Sequence, residues 1–252
     1  MITNFNLWCI HGNLQNPNVW DFLDNYNHEL IGRISGIRYR INIIKINLWN
    51  DIACSMKEWA LKFCNQVENL KPKSKNILLG YSLGGRLAMQ TLVTNPELWS
   101  AAIIVSAHPG LKSEEERSNS INFDMKWTNK FQNESWKDLI DEWDSLPVFC
   151  GWDRLINIME KQFNRDAIGK LFKTYSKGYQ GYFPDKLKKI SNLRMLYIAG
   201  AADKKYSKIG DDLAELNENI TFYCIENAGH RVPWENQSDF SVNVFDFIVD
   251  HI

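Results

Sequence analysis

The chain has 252 residues, 44% of them apolar, and a formal net charge of −1. That length and apolar content suit one large α/β domain, or a domain carrying an insertion. The near-neutral charge excludes a global basic field for nucleic acid or an anionic membrane surface, and no apolar run approaches the ~18 residues that span a bilayer.

Phe5 to Ile10 reads as a buried strand that leads into His11-Gly12-Asn13. The spacing of Val19, Phe22, Leu23, Tyr26 and Leu30 predicts a helix over 19–31. Tyr39 to Ile46 reads as a second strand. Ser55 to Leu70 reads as an amphipathic helix with Met56, Trp59, Ala60, Phe63 and Val67 on one stripe, stopped by Lys71-Pro72-Lys73.

Next comes N-I-L-L-G-Y-S-L-G-G-R over 76–86. An apolar strand, a sharp turn with Ser82 at its tip, and a helix follow in order. This G-x-S-x-G context is what a nucleophile elbow requires, and Gly80 and Gly84 keep the tight turn clear of side chains. A helix that starts at Ser82 aims free N–H groups at the reacting oxygen. Ala101 to Ala107 is another apolar strand, running into His108-Pro109-Gly110.

Strand alternation then stops. Leu111 to Ile190 reads as three or four helices: one starting at the Ser113–Glu116 capping box, others over 136–143, 155–163 and 166–175. Alternation resumes with a strand at 194–199, a helix at 206–216, a strand at 221–225 and a helix at 240–249. The expected organisation is an α/β core formed by 1–110 and 191–252, a mostly parallel sheet with helices on both faces, and a helical lid over 111–190.

In such sheets sites form at the carboxyl ends of the strands. His11, Ser82, His108, Asp203 and His230 each follow a predicted strand. A serine hydroxyl needs a histidine to take its proton and a carboxylate to orient that histidine. Ser82, Asp203 and His230 supply these in the order Ser…Asp…His, that of the α/β-hydrolases. Asp153, Glu226 and Asp239 are other acids, but none follows a strand in that order. The oxyanion site is expected from the backbone amides of Leu83 and Asn13. His11 reads as structural and His108 as either a wall or a catalytic group, while His28 and His251 read as solvated. Arg86, one turn beyond Ser82, reads as a carboxylate-binding cation or as a surface arginine.

No His/Cys/Asp cluster has metal-ligand spacing and no G-x-G-x-x-G follows a strand, so neither a metal nor a nucleotide cofactor is expected. The five cysteines are scattered, with Cys9 and Cys224 read as buried thiols, which suits a reducing cytoplasm. Residues 1–10 are too short and polar to read as a signal peptide. The expected partner is a small anionic substrate, the expected state a monomer or homodimer.

The chain resembles the α/β-hydrolase superfamily over nearly its whole length. Within it, it resembles the 2-succinyl-6-hydroxy-2,4-cyclohexadiene-1-carboxylate synthases of menaquinone and phylloquinone biosynthesis. The resemblance rests on G-Y-S-L-G-G-R at 80–86, H-P-G-L at 108–111, E-E-E-R at 114–117 with Asp124 and Trp127, W-D-S-L-P-V-F at 143–149, and A-G-H at 228–230 followed by Glu235-Asn236. It implies a lyase that eliminates pyruvate by proton abstraction, with Ser82, Asp203 and His230 as the triad and Tyr81, Arg86 and Trp143 lining the substrate pocket. The chain departs from the family pattern at Ser120, where an arginine is usual, and at Asp144 and Leu146, where the pattern has tyrosine and glutamine. Lys161 is the counterpart of a second family arginine, with Lys204 and Arg117 or Arg165 as further candidate cations. The alternative is a serine hydrolase (esterase, thioesterase or C–C hydrolase) acting through an acyl-enzyme; a third reading is a binding protein without activity.

Overall fold

The computed structural model describes residues 2–26, 30–31, 38–50, 52–70, 75–149, 151–152 and 155–251. The expectations for His28, Asp153 and the helix stop at 71–73 lie outside these residues. Six parallel strands form the sheet: β1 (Ile2–Ile10), β3 (Arg38–Ile46), β4 (Lys75–Tyr81), β5 (Ala101–Val105), β6 (Arg194–Gly200) and β7 (Ile220–Ile225). The two-residue β2 (Leu30–Ile31) adds antiparallel to β3, giving the order β2-β3-β1-β4-β5-β6-β7.

The period-2 geometry of a strand divides the core into two layers. Trp8, Ile10, Leu78, Ile104 and Tyr197 point to one face. There they meet α1 (Met56–Leu70), α2 (Leu83–Thr94) and α7 (Lys204–Leu216). Leu7, Cys9, Ile77, Leu79, Ile103 and Ile198 point to the other, against a 3-10 helix at Pro17–Tyr26 and α9 (Gln237–His251). The predicted stripe of α1 is buried in full. Because both faces are covered, the central strands read as continuous apolar runs rather than alternating ones.

Between β5 and β6 lie α3 (Glu114–Asn133), α4 (Trp136–Asp144), α5 (Arg165–Thr174) and the short α6 (Pro184–Leu187). The Ser113 capping box that opens α3 is formed. Trp127, Phe131, Leu139, Trp143, Phe149 and Phe172 make a separate apolar cluster within this segment, joined by Leu14 from the β1 exit loop. The high tryptophan content of the middle of the chain thus holds the helical segment together.

Two predicted helices differ. The 19–31 helix is a 3-10 helix ending at Tyr26, with β2 beyond it; an i, i+3 apolar repeat such as Val19/Phe22 suits either helix type. The 155–163 helix is an extended stretch with one 3-10 turn at Glu160–Gln162, and it leaves Leu155 and Met159 exposed. Cys224 is exposed rather than buried, because β7 is the last strand of the sheet and its outer face is open. No helix among the described residues is long and apolar enough to cross a membrane.

Candidate active site

The chain enters the sheet at β1, moves outward to β3 and then crosses back to β4. The carboxyl ends of β1 and β4 therefore sit side by side where the winding reverses, the place where open α/β sheets build sites. Asn13 follows the first of these strands and Ser82 the second.

Ser82 lies between β4 and α2 with φ 51° and ψ −109°. A non-glycine residue there is strained by about 1–3 kcal/mol, and the surrounding contacts must hold it. Its N–H donates to the Val105 carbonyl (2.9 Å) and its carbonyl accepts from the Arg86 N–H (3.0 Å). The flanking glycines are dictated by space: a Cβ on Gly84 would stand 2.2 Å from the Ile10 carbonyl oxygen, and one on Gly80 2.4 Å from that of Gly84.

His230 follows β7 and is almost fully buried. Its Nδ1 lies 2.7 Å from Asp203 Oδ2, and its Nε2 3.4 Å from Ser82 Oγ. A carboxylate only accepts, so Nδ1 carries the proton and Nε2 is left as the acceptor facing the serine hydroxyl. Burial holds the His230 pKa below its ordinary value against the opposing pull of Asp203; Arg231 and Lys177 add to the lowering. The imidazole is therefore a neutral base at pH 7. Asp203 is the N-cap of α7, where its Oδ1 accepts from the Tyr206 N–H.

These three side chains open onto a cavity of about 550 Å³, which Asn13 and Leu83 also line. The neighbouring Gly12 N–H is already taken by Gln15 Oε1 (2.8 Å). The amides of Asn13 and Leu83 have no protein acceptor among the described hydrogen bonds. His11 serves the loop: Nδ1 donates to the Gly12 carbonyl and Nε2 accepts from the Leu48 N–H. Burial pushes its pKa down to about 4, so it carries no charge there.

Arg86 is not a surface residue. It is 8% exposed. Its Nη1 donates to the Tyr175 carbonyl (2.8 Å) and to Gln180 Oε1 (3.3 Å). Its remaining guanidinium nitrogens have no protein acceptor among the described residues, and the side chain lines the cavity. Lys177, Lys204 and Lys205 line it too. Burial, with Lys205 and Arg86 adding to it, lowers Lys177 to about 8. Burial and then Lys177, Lys205 and Arg86 lower His108 to about 3, so His108 is a neutral wall residue. Among the described residues, four cations thus line a cavity whose carboxylates are Asp124 and Asp203. Burial raises the pKa of Asp124, while Ser176, Arg86 and Lys177 draw it back down.

The predicted binding residues divide. Trp143 lines the cavity, held edge-on against Trp127 and Phe172. Tyr81 instead borders a second, much smaller cavity of about 20 Å³ on another side of Ser82. Lys161 is corrected: it stands exposed on the 160–162 turn and does not line the main cavity. Nor do Arg117 and Arg165: each donates through Nη1 to backbone carbonyls of the helical segment, and Arg165 Nε also pairs with Glu160. Lys177 and Lys205 line the main cavity instead. Lys205 adjoins Lys204, a cation already expected beside Asp203, whereas nothing local in the sequence marks Lys177; only the fold brings it beside Arg86.

No family model matches the chain. It is 27% identical over 165 residues to a 2-succinyl-6-hydroxy-2,4-cyclohexadiene-1-carboxylate synthase of Citrobacter koseri, covering 63% of this chain and 62% of that protein. It is 26% identical over 177 residues to the protein of the same name from Photorhabdus laumondii, covering 68% and 61%. The matches thus span about three fifths of the relatives' lengths. Among solved structures, MenH from S. aureus superposes with a TM-score of 0.80 at 20% identity, covering 98% of this chain and 94% of that one. A peroxisomal alpha-beta-hydrolase from Saccharomyces cerevisiae superposes with a TM-score of 0.65 at 16% identity, covering 98% and 77%. The chain has the α/β-hydrolase fold and resembles the synthases in sequence.

Proposed function

We propose that the chain is a carbon–oxygen lyase of the α/β-hydrolase superfamily that releases pyruvate from a succinyl-enolpyruvyl-hydroxycyclohexene carboxylate, as a step of menaquinone or phylloquinone biosynthesis. The observation that carries this reading is the presence of Arg86, Lys177, Lys204 and Lys205 in the same cavity as Ser82. A neutral ester needs no such array, whereas a polycarboxylate needs several cations. The sequence similarity to synthases named for this product points the same way.

In this reading His230 Nε2 takes the Ser82 proton and the serine oxygen takes a proton from the substrate ring. The electron pair of the broken C–H bond forms the ring C=C bond, and the ring C–O bond to the enolpyruvyl group breaks. The departing enolate takes up a proton and leaves as pyruvate, and the ring becomes a conjugated cyclohexadiene. Charge that gathers on the substrate's oxygen in the transition state is met by the amides of Leu83 and Asn13. Asp203 keeps the His230 tautomer that has Nε2 free. Arg86 and the lysines hold carboxylates, Trp143 forms an apolar wall, and Tyr81 packs against the His230 ring (5.7 Å between centroids). The segment 111–190 acts as the lid that keeps water from the ring.

The test is to supply the enolpyruvyl precursor and follow pyruvate. Wild-type protein is expected to release it, with Ser82→Ala and His230→Ala each losing most of the rate. Near-normal turnover in either variant refutes the assignment. A burst with an activated ester, together with a mass label on Ser82, supports the acyl-enzyme hydrolase instead.

A further inference from the structure

Asp144 stands where the resembled pattern has tyrosine, and its position is electrostatically awkward. It is the last residue of α4, where a carboxylate opposes the helix dipole. It is also mostly buried, with a side-chain exposure of 17%. A charge so placed needs a counter-charge. Arg231 supplies it: its Nη2 donates to Asp144 Oδ1, and its own side chain is 6% exposed.

Arg231 directly follows His230. Its backbone is fixed as the N-cap of α8 (Val232–Glu235), where its carbonyl accepts from the N–H groups of Trp234 and Glu235. The guanidinium lies over the Phe149 ring, 4.1 Å from the centroid. Phe149 in turn stands edge-on to the His230 ring at 5.6 Å and packs against Trp143 at 5.7 Å. One side chain thus ties the loop that carries His230 to the end of α4 and to two aromatic residues of the cavity wall. On its other side α4 is joined to α3 by Lys130–Glu142. That second link lies within the helical segment and does not anchor it to the core.

We propose that Arg231 and Asp144 form a charge latch that fastens the end of α4 over the reaction centre, making Arg231 a positioning residue for Trp143 and Phe149. A planar guanidinium suits both tasks, because it pairs with a carboxylate in its plane and stacks on a ring with its face. Only the kinetic arm of the test rests on the proposed elimination.

The test compares wild type with Asp144→Asn and Arg231→Lys. Amide hydrogen exchange over 136–149 is read on the free protein, so the result stands whatever the substrate is. Asp144→Asn removes the carboxylate that pairs with the buried guanidinium, and exchange over 136–149 is expected to rise about tenfold or more while exchange in β4 and β5 stays as in wild type. Arg231→Lys keeps the charge but not the fork or the stacking, and is expected to fall between the two. In pyruvate release KM is expected to rise more than kcat falls, because the wall that meets the substrate loosens while Ser82 and Asp203 stay in place. The charge-exchanged pair Asp144→Arg with Arg231→Asp is expected to restore part of the protection. Unchanged exchange over 136–149 in Asp144→Asn overturns the latch, as does an Arg231→Lys variant more labile than Asp144→Asn.

Discussion

Replacing Arg86 by glutamine tests the cation array at its most buried member. The guanidinium sits one helical turn from Ser82, tethered through Nη1 to the Tyr175 carbonyl and Gln180. In the proposed reaction Nε and Nη2 hold a substrate carboxylate. Hydrogen bonds to a charged partner contribute about 1.5–3 kcal/mol. At 1.36 kcal/mol per decade their loss lowers kcat/KM about 10- to 150-fold. A carboxylate remote from the breaking bonds is held equally in ground and transition states, so the loss is expected in KM. The variant also strips a donor from the Tyr175 carbonyl, which costs about 1–3 kcal/mol of stability if that oxygen stays buried and unpaired. Thermal unfolding must therefore accompany the kinetics. The assay couples pyruvate to lactate dehydrogenase over a range of precursor concentrations. A folded Arg86→Gln protein with unchanged kcat/KM overturns a carboxylate-binding role and leaves Arg86 a purely structural tether.

The same logic separates two lysines. Lys177→Gln is expected to raise KM about tenfold, the lower end of the range for the loss of one charged contact, whereas Lys161→Gln, exposed and outside the cavity, is expected to match wild type in the same assay. The pH profile of kcat/KM is expected to be bell-shaped. The acid limb falls below the ordinary histidine value, because the rate needs neutral His230 and its pKa is lowered; the alkaline limb lies near pH 8, where Lys177 loses its charge. Lys177→Gln is expected to remove the alkaline limb, and its persistence there contradicts the assignment. Gly84→Ala places a methyl group 2.2 Å from the Ile10 carbonyl oxygen. Since that contact is backbone, the variant is expected to be poorly folded or to melt well below wild type by circular dichroism.

The sheet was legible because its central strands are buried on both faces and read as uninterrupted apolar runs, and because each strand ends at a polar or glycine-rich exit loop. Ser82, Asp203 and His230 each stand at such an exit, so chain order alone indicated that they would meet. Arg86 was legible as a neighbour of Ser82 through helical periodicity, but not its burial, which comes from Tyr175 and Gln180 some 90 positions away. Local pattern failed where it has two solutions, as with the 3-10 helix at 17–26. It also failed at the 155–163 stretch, where apolar residues are left exposed. Lys161 came from matching a family spacing, and spacing within an irregular segment does not fix direction. Lys205 adjoins the expected Lys204, but Lys177 lies in the helical segment and meets it only through the fold. Arg231 carried one usable signal: a cation beside His230 in a chain that places an unexpected acid at Asp144.

In the proposed reaction Ser82 and His230 remove a ring proton and expel pyruvate without an acyl-enzyme. A single-turnover experiment with enzyme in excess over the enolpyruvyl precursor, quenched in acid, tests it most directly. Pyruvate and the conjugated diene are expected to appear together in equal amounts, with Ser82 unmodified by intact mass and both products lost in Ser82→Ala. Absence of pyruvate, or an ester-linked adduct accumulating on Ser82, contradicts the proposed reaction.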